Sequence, residues 1–342
     1  MITGAAGTVG RELVRQLAAF DDVSLRLMDN NETEIFFLSE EYRDQNVICF
    51  LGDVRDKEKV HKLVQGIDIV IHCAAYKHVI LSEYNPFDVV QTNIIGVENI
   101  IRAAAAERVG HVIFTSSDKA VNPTNVMGTS KLMGERLITA GNATFVKNKT
   151  IFSSTRFGNV LGSRGSVVGV FFKQIQKGGP VTLTDAGMTR FIMTIPEAAA
   201  LVLKSGPIAK GGEVFVVKMP VIRIADLAAV MIDILAPRFG HRPEDIQIME
   251  IGAKAGEKLY EELMSQEEVS RAMELDDMFV IIPAFKAIYK DIQYEYKNLV
   301  SSMVEKSYVS ANEIPMDRAA LKKYLLDNDV LAIAAGSLAE LR

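Results

Sequence analysis

Met1-Ile2-Thr3-Gly4-Ala5-Ala6-Gly7-Thr8-Val9-Gly10 opens the chain, and its reading decides the fold. Glycines at 4, 7 and 10 stand between a short apolar segment and the helical pattern that starts at Thr8. That spacing permits a tight strand-to-helix turn whose backbone N–H groups approach a pyrophosphate at a helix amino terminus. A glycine-rich turn alone is weak, but the next apolar run ends at Asp29, 19 residues after Gly10. A carboxylate there accepts from an adenosine ribose 2′-OH and repels a 2′-phosphate. Thr3, Gly4, Gly7, Thr8, Val9, Gly10 and Asp29 are therefore the expected dinucleotide site, with NAD favoured over NADP. The competing reading makes Asp29 a plain helix cap. Only Met1-Ile2 precede Thr3, short for a strand of about five residues, so we expect a native chain that begins further upstream.

Outward from that turn, short apolar runs alternate with helical patterns to about residue 156, which predicts a right-handed parallel α/β sheet. Strands are expected at 1–3, 23–28, 46–51, 67–73, 110–115 and 150–156, and helices near 8–19, 31–42, 56–65, 86–107 and 123–140. Pro86 and Pro123 stand where a first helical turn tolerates proline. Gly52-Asp53-Val54 follows the third strand, placing Asp53 and Val54 at the adenine. Ala74 and Ala75 follow the fourth, where a cofactor must pass close, and His72 reads as a packed histidine. Beyond 156 we expect a helix near 166–177, a strand near 213–217, a helix near 223–236, a strand near 247–251 and a mainly polar tail of helix and loop from 268. The fold class is α/β: a doubly wound parallel Rossmann sheet (1–160, with a return segment near 191–220) and a smaller C-terminal α/β substrate lobe (161–190 and 221–342).

Composition narrows the function classes. The chain has 342 residues, 49% of them hydrophobic, enough for a large core. Net charge is −5 with both signs interspersed, which offers no basic face to nucleic acid. No apolar run reaches the roughly 18 residues of a membrane helix. The two cysteines, Cys49 and Cys73, fall in or beside apolar strands and read as core residues, so the chain is expected to be cytoplasmic, with no metal.

A second stretch carries the chemistry. His111-Val112-Ile113-Phe114-Thr115 delivers Ser116, Ser117, Asp118 and Lys119 to a strand end, with Met127 and Lys131 further on. A hydroxyl, a carboxyl and an amine side by side can relay, donate and accept protons at one reacting centre. Met127 and Lys131, four apart, share one helix face. Read alone, Asp118 and Lys119 could equally be a solvated ion pair with Met127 as core filler.

These residues resemble the extended short-chain dehydrogenase/reductases, and more narrowly their polysaccharide-biosynthesis branch of UDP-N-acetylglucosamine 4,6-dehydratases. The resemblance rests on Ala74-Ala75-Tyr76-Lys77-His78-Val79, Ser117-Asp118-Lys119-Ala120, Asn122-Pro123-Thr124-Asn125-Val126-Met127-Gly128, Arg156-Phe157-Gly158-Asn159-Val160-Leu161-Gly162-Ser163-Arg164-Gly165-Ser166, Met188-Thr189-Arg190-Phe191 and Gly256-Glu257-Lys258-Leu259-Tyr260. Met127 stands where the superfamily has its tyrosine; Ser117 and Lys254 stand where the branch commonly has threonine and arginine. The resemblance implies oxidation at sugar C4, loss of water across C5 and C6, and hydride return to C6. It makes Lys119 the base at C5, with its pKa lowered toward about 7–8, and Asp118 the acid at the C6 hydroxyl, kept protonated by burial. Asp118 also takes the first proton from the C4 hydroxyl, which Ser117 polarises. Lys131 binds the nicotinamide ribose. For the UDP-sugar, Arg190 and Lys254 are expected on phosphate, Glu257 on the uridine ribose, Asn159, Gly165 and Ser166 near the diphosphate, and Lys77 and His78 at the sugar. A homo-oligomer is implied. The rivals are a UDP-N-acetylhexosamine 4-epimerase and a non-catalytic NAD(P)-binding regulator.

Overall fold

The computed structural model describes residues 1–144, 149–252, 256–285 and 292–339. It divides into two compact units, Met1–Phe157 with Ala199–Lys218 and Leu263–Ser307, and Gly158–Ala198 with Met219–Glu262 and Tyr308–Arg342. The contacts thus put 263–307 with the first unit, where the sequence reading put them in the substrate lobe.

The first unit is built on a ten-stranded sheet in the order 299–301, 272–275, 278–281, 214–217, 151–157, 111–117, 69–72, 2–3, 25–29, 47–51. From 47–51 through 214–217 every neighbour is parallel. The chain runs outward from Ile2–Thr3 to one edge, then crosses back to Ile69–His72 on the other side. The order reverses between those two strands, so the crevice at their carboxyl ends is where such sheets bind ligands. Side chains cap two of the intervening helices: Asn31 accepts from Glu34 N–H and Asp56 from Lys59 N–H. Val70, Val112, Phe114, Phe152 and Ile100 close the core beneath, each large apolar side chain worth about 1.5–3 kcal/mol on burial.

Two expectations needed correction. The helix expected over 86–107 is broken: Pro86–Val89 and Gly96–Ala106 are α-helical, while Val90–Ile95 is a π-helical turn. The polar tail also holds strands, since Ala272–Leu275, Met278–Ile281 and Leu299–Ser301 extend the sheet in antiparallel fashion. Met278-Phe279-Val280-Ile281 is buried throughout although charged residues precede it.

The second unit has its own core, where Val168, Phe171 and Ile175 of helix Val167–Gln176 meet Leu227 and Met231 of helix Ile224–Leu235 and Leu321 and Leu325 of helix Arg318–Asp327. Beside it lie a three-stranded sheet of 221–223, 189–193 and 159–160 and a parallel pair of 248–250 with 181–183. Among the described residues no helix is long and apolar enough to cross a membrane.

Candidate active site

Gly4 is the hinge of the opening turn. Its φ is +67°, and a Cβ there would stand 2.6 Å from the backbone nitrogen of Ala74 at the end of the neighbouring strand. Only glycine serves where two chain segments meet that closely. Gly7 then precedes helix Thr8–Leu17 with no side-chain cap on its first turn, the arrangement that receives an anion on backbone N–H groups. Thr8 and Val9 are half-buried beside it, Ala74 and Ala75 likewise, and Gly10 is buried. The cradle fits a dinucleotide's pyrophosphate.

Asp29 ends its strand beside this turn, and both its oxygens bind backbone: Oδ2 accepts from Ala6 N–H at 2.9 Å and Oδ1 from Asn31 N–H at 3.0 Å. Its carboxylate is held in place, with lone pairs left for a hydroxyl donor. Asp53 is paired with Arg55, whose hydrogen bond holds its pKa below the usual carboxylate range. Val54 is buried in the core, so its side chain is packing and not a wall for the adenine. Thr3 is fully buried as well, and its Oγ1 lies 2.6 Å from His72 Nδ1. Burial drives the His72 pKa down to about 3, helped by the charge of Lys131, so it is a neutral packed histidine.

The residues expected to carry the chemistry stand at the carboxyl end of strand His111–Ser117, where a 3-10 turn carries Asp118–Ala120. Asp118 is 1% exposed, and its Oδ1 accepts from Ser117 Oγ (2.5 Å), Lys119 N–H (2.9 Å) and Lys119 Nζ (3.1 Å). The Lys119 side chain is 28% exposed. Helix Val126–Thr144 presses on this turn through Gly128, where a Cβ would lie 2.2 Å from Lys119 O. Met127 and Lys131 on that helix are both buried. Lys131 Nζ donates to Thr115 O at 2.9 Å and lies 4.8 Å from the Phe114 ring centre. Burial lowers its pKa to about 8, against the opposing pull of Cys73 and Glu135.

Two sets of residues acquire definite partners here: Asn93, which the sequence offered only as a brace of the sheet or the strand of Asp118 with no chemistry, and Arg156. Asn93, in the π-helical turn, accepts from Tyr76 N–H (2.8 Å) and donates to Tyr76 O (3.0 Å) and Ser130 Oγ (2.9 Å). It ties the loop before Lys77 to the helix of Met127 and Lys131; an asparagine in a long helical pattern was the one available signal. Arg156 grips Glu135 (Nε–Oε1 2.8 Å, Nη2–Oε2 2.7 Å) and Glu268 (2.9 and 2.7 Å), with all three side chains 5% exposed or less. Arg156 holds the Glu268 pKa down near 2 against its burial.

Lys77 and His78 are exposed and line a hollow of about 250 Å³ with Leu81, Ser82 and Asp88. In the second unit, Asn159 and Ser166 are half-buried and Gly165 exposed. Ser166 caps helix Val167–Gln176 by position, without a capping bond. Glu257 accepts from Thr184 Oγ1 at 3.1 Å. Arg190 corrects an expectation: it is 7% exposed, donates to the carbonyls of Thr189, Leu259 and Lys258, and sits 3.4 Å from Glu261. Its guanidinium braces the 258–261 segment and reaches a phosphate only by giving up those partners. Lys254 lies outside the described residues.

The family of polysaccharide biosynthesis proteins matches residues 1–283. An uncharacterized membrane protein of Methanocaldococcus jannaschii is 52% identical over 83% of this chain and 85% of its own length. The chain spans only 45% of the capsular polysaccharide biosynthesis protein CapD of Staphylococcus aureus, to which 79% of it is 43% identical. A UDP-N-acetylglucosamine 4,6-dehydratase (inverting) of Campylobacter jejuni is 36% identical over 87% of each chain, and a UDP-glucose 4-epimerase of Rickettsia canadensis is 37% identical over 82% of each. The solved structure of Pen from Bacillus thuringiensis superposes with a TM-score of 0.89 at 41% identity, covering 96% of this chain and 97% of that one. With its glycine-rich cradle, its parallel sheet and these matches, the chain belongs to the family of polysaccharide biosynthesis proteins.

Proposed function

We propose that the chain is an NAD-dependent 4,6-dehydratase of UDP-N-acetylglucosamine. The observation that carries this reading is the contact of Asp118 and Lys119, 3.1 Å between Oδ1 and Nζ. With Asp118 as the carboxylate and Lys119 as the free amine, the pair enters the reaction with one empty proton site each: Asp118 becomes the acid by taking the C4 hydroxyl proton, and Lys119 is the base beside it. Those are the two groups an elimination needs. Once C4 is a carbonyl, the C5 proton is acidic; the Lys119 amine removes it and Asp118 hands a proton to the departing C6 hydroxyl. Ser117, already donating to Asp118, orients that carboxyl. Met127 cannot titrate, so Asp118 also receives the C4 hydroxyl proton and returns it at C6. A bound NAD would supply hydride exchange between C4 and C6, and the Lys119 ammonium, after exchange with solvent, returns a proton to C5 and regains its free amine.

The glycine turn from Gly4 to Gly10 holds the pyrophosphate of that cofactor, and Asp29 selects NAD through the ribose. Lys131 supplies positive charge and a donor to the nicotinamide ribose. Lys77 and His78 are assigned to the sugar, and Asn159, Ser166, Lys254 and Glu257 to the nucleotide.

The Rickettsia relative favours a second reading, 4-epimerisation. An epimerase shares the first step but has no use for an acid and a base at C5 and C6. Lys119→Ala separates the two: as a dehydratase the variant binds NAD and releases no dehydrated product, while unimpaired turnover rejects the assignment of Lys119.

A further inference from the structure

Glu135 lies one helical turn beyond Lys131, so both side chains rise from the same face of helix Val126–Thr144, and both are buried. A free carboxylate at that place would draw the lysine ammonium onto itself. Instead Arg156 engages both Glu135 oxygens, and Lys131 Nζ is left to Thr115 O and the ring of Phe114. Arg156 is fixed in turn by Glu268, whose carboxylate closes a capping box with Ser265 and stands 3.6 Å from Arg271. The four groups sum to zero charge: Glu135 and Glu268 against Arg156 and Arg271.

We propose that Glu135 is a positioning residue for Lys131, its carboxylate kept off the amine by the two-point grip of Arg156, which Glu268 anchors from the other side. The inference deepens the reading above, since it bears on cofactor binding only if Lys131 serves the nicotinamide ribose. Glu135 acts on Lys131 through space alone: its charge favours the protonated amine, while burial disfavours it. On the elements packed against helix Val126–Thr144, the titratable or charged groups besides Arg156 are His111 on its strand, Asp118 and Lys119 in the 3-10 turn, Glu83 and Asp88 on the short helices, and Glu98 with Arg102 on helix Gly96–Ala106, while His72 and Cys73 at a strand end couple to Lys131. None of these changes when Glu135 or Glu268 is replaced, so a comparison of the two variants isolates the cluster.

The test titrates Lys131 directly, in full-length protein labelled with 13C-lysine, with Lys131→Met identifying its signal; no cofactor is needed. Glu135→Gln and Glu268→Gln each remove one charged partner of Arg156, and both lower the urea midpoint. Only Glu135→Gln moves the Lys131 titration, downward by about half a pH unit or more, and Glu135→Met, which retains similar volume without a polar group, does the same. An unmoved midpoint in both Glu135 variants, or an equal shift in Glu268→Gln, overturns the proposal. NAD titration of the unsubstituted protein is scored separately: failure to bind rejects the functional reading and leaves this inference standing.

Discussion

Two clusters of opposite charge lie in the first unit, and they are built for opposite ends. Asp118 and Lys119 are neighbours in the chain, and the lysine is 28% exposed. Arg156 reaches Glu135 and Glu268, 21 and 112 residues away, and is itself 1% exposed. A lysine amine gives up its proton when its surroundings ask; a guanidinium does not at any accessible pH. The first cluster can therefore exchange a proton with a substrate. The second can only hold, and what it holds is the helix that carries Lys131.

The largest effect separates the two clusters by what they lose. Lys119→Ala should cut dehydration by about 10²–10⁴-fold while costing about 1–2 kcal/mol of stability, because Ser117 and the residue-119 amide still serve the carboxylate. Product assays and urea melts on one preparation check both halves. Arg156→Met should do the reverse in kind, costing about 3–5 kcal/mol by stranding two buried carboxylates; a cost below about 1 kcal/mol would mean the cluster holds nothing.

Acid sharpens the contrast. Unfolded chain takes a proton on His72 near pH 6.5, which the folded protein refuses until about pH 3. Stability should therefore fall as pH drops through that window, by about 1.4 kcal/mol per unit, and His72→Phe should lose that slope in denaturation curves. Smallest is the cofactor arm: Asp29→Ser should weaken NAD binding by about tenfold, roughly one charge-assisted hydrogen bond, and narrow the preference over NADP. Calorimetric titration with both nucleotides measures this, and an unchanged ratio removes Asp29 from the ribose.

The strands up to Phe157 and most of the helices between them were legible because each is a local pattern: apolar runs and helical periodicity, with glycines whose spacing encodes one turn. Asp118 and Lys119 were legible for the same reason, being adjacent at a strand end. The Arg156 grip was not, because Glu268 comes to it only when the 263–307 segment joins the first unit. Strand Met278–Ile281 was missed because its partners are supplied by tertiary pairing, which a charged flank in the sequence conceals. Arg190 was read as free to bind phosphate because its charge is visible in sequence and its backbone carbonyl partners are not. Val54 and Thr3 show the same limit, since a motif gives position along the chain and not the direction of a side chain.

The most direct test of the central claim is the product formed from UDP-N-acetylglucosamine and NAD in heavy water, read by mass and proton spectra. The account predicts loss of one water, a 4-keto-6-deoxy sugar and solvent deuterium at C5, with no net consumption of NAD. A product of unchanged formula, epimerised at C4 and free of deuterium at C5, would contradict it.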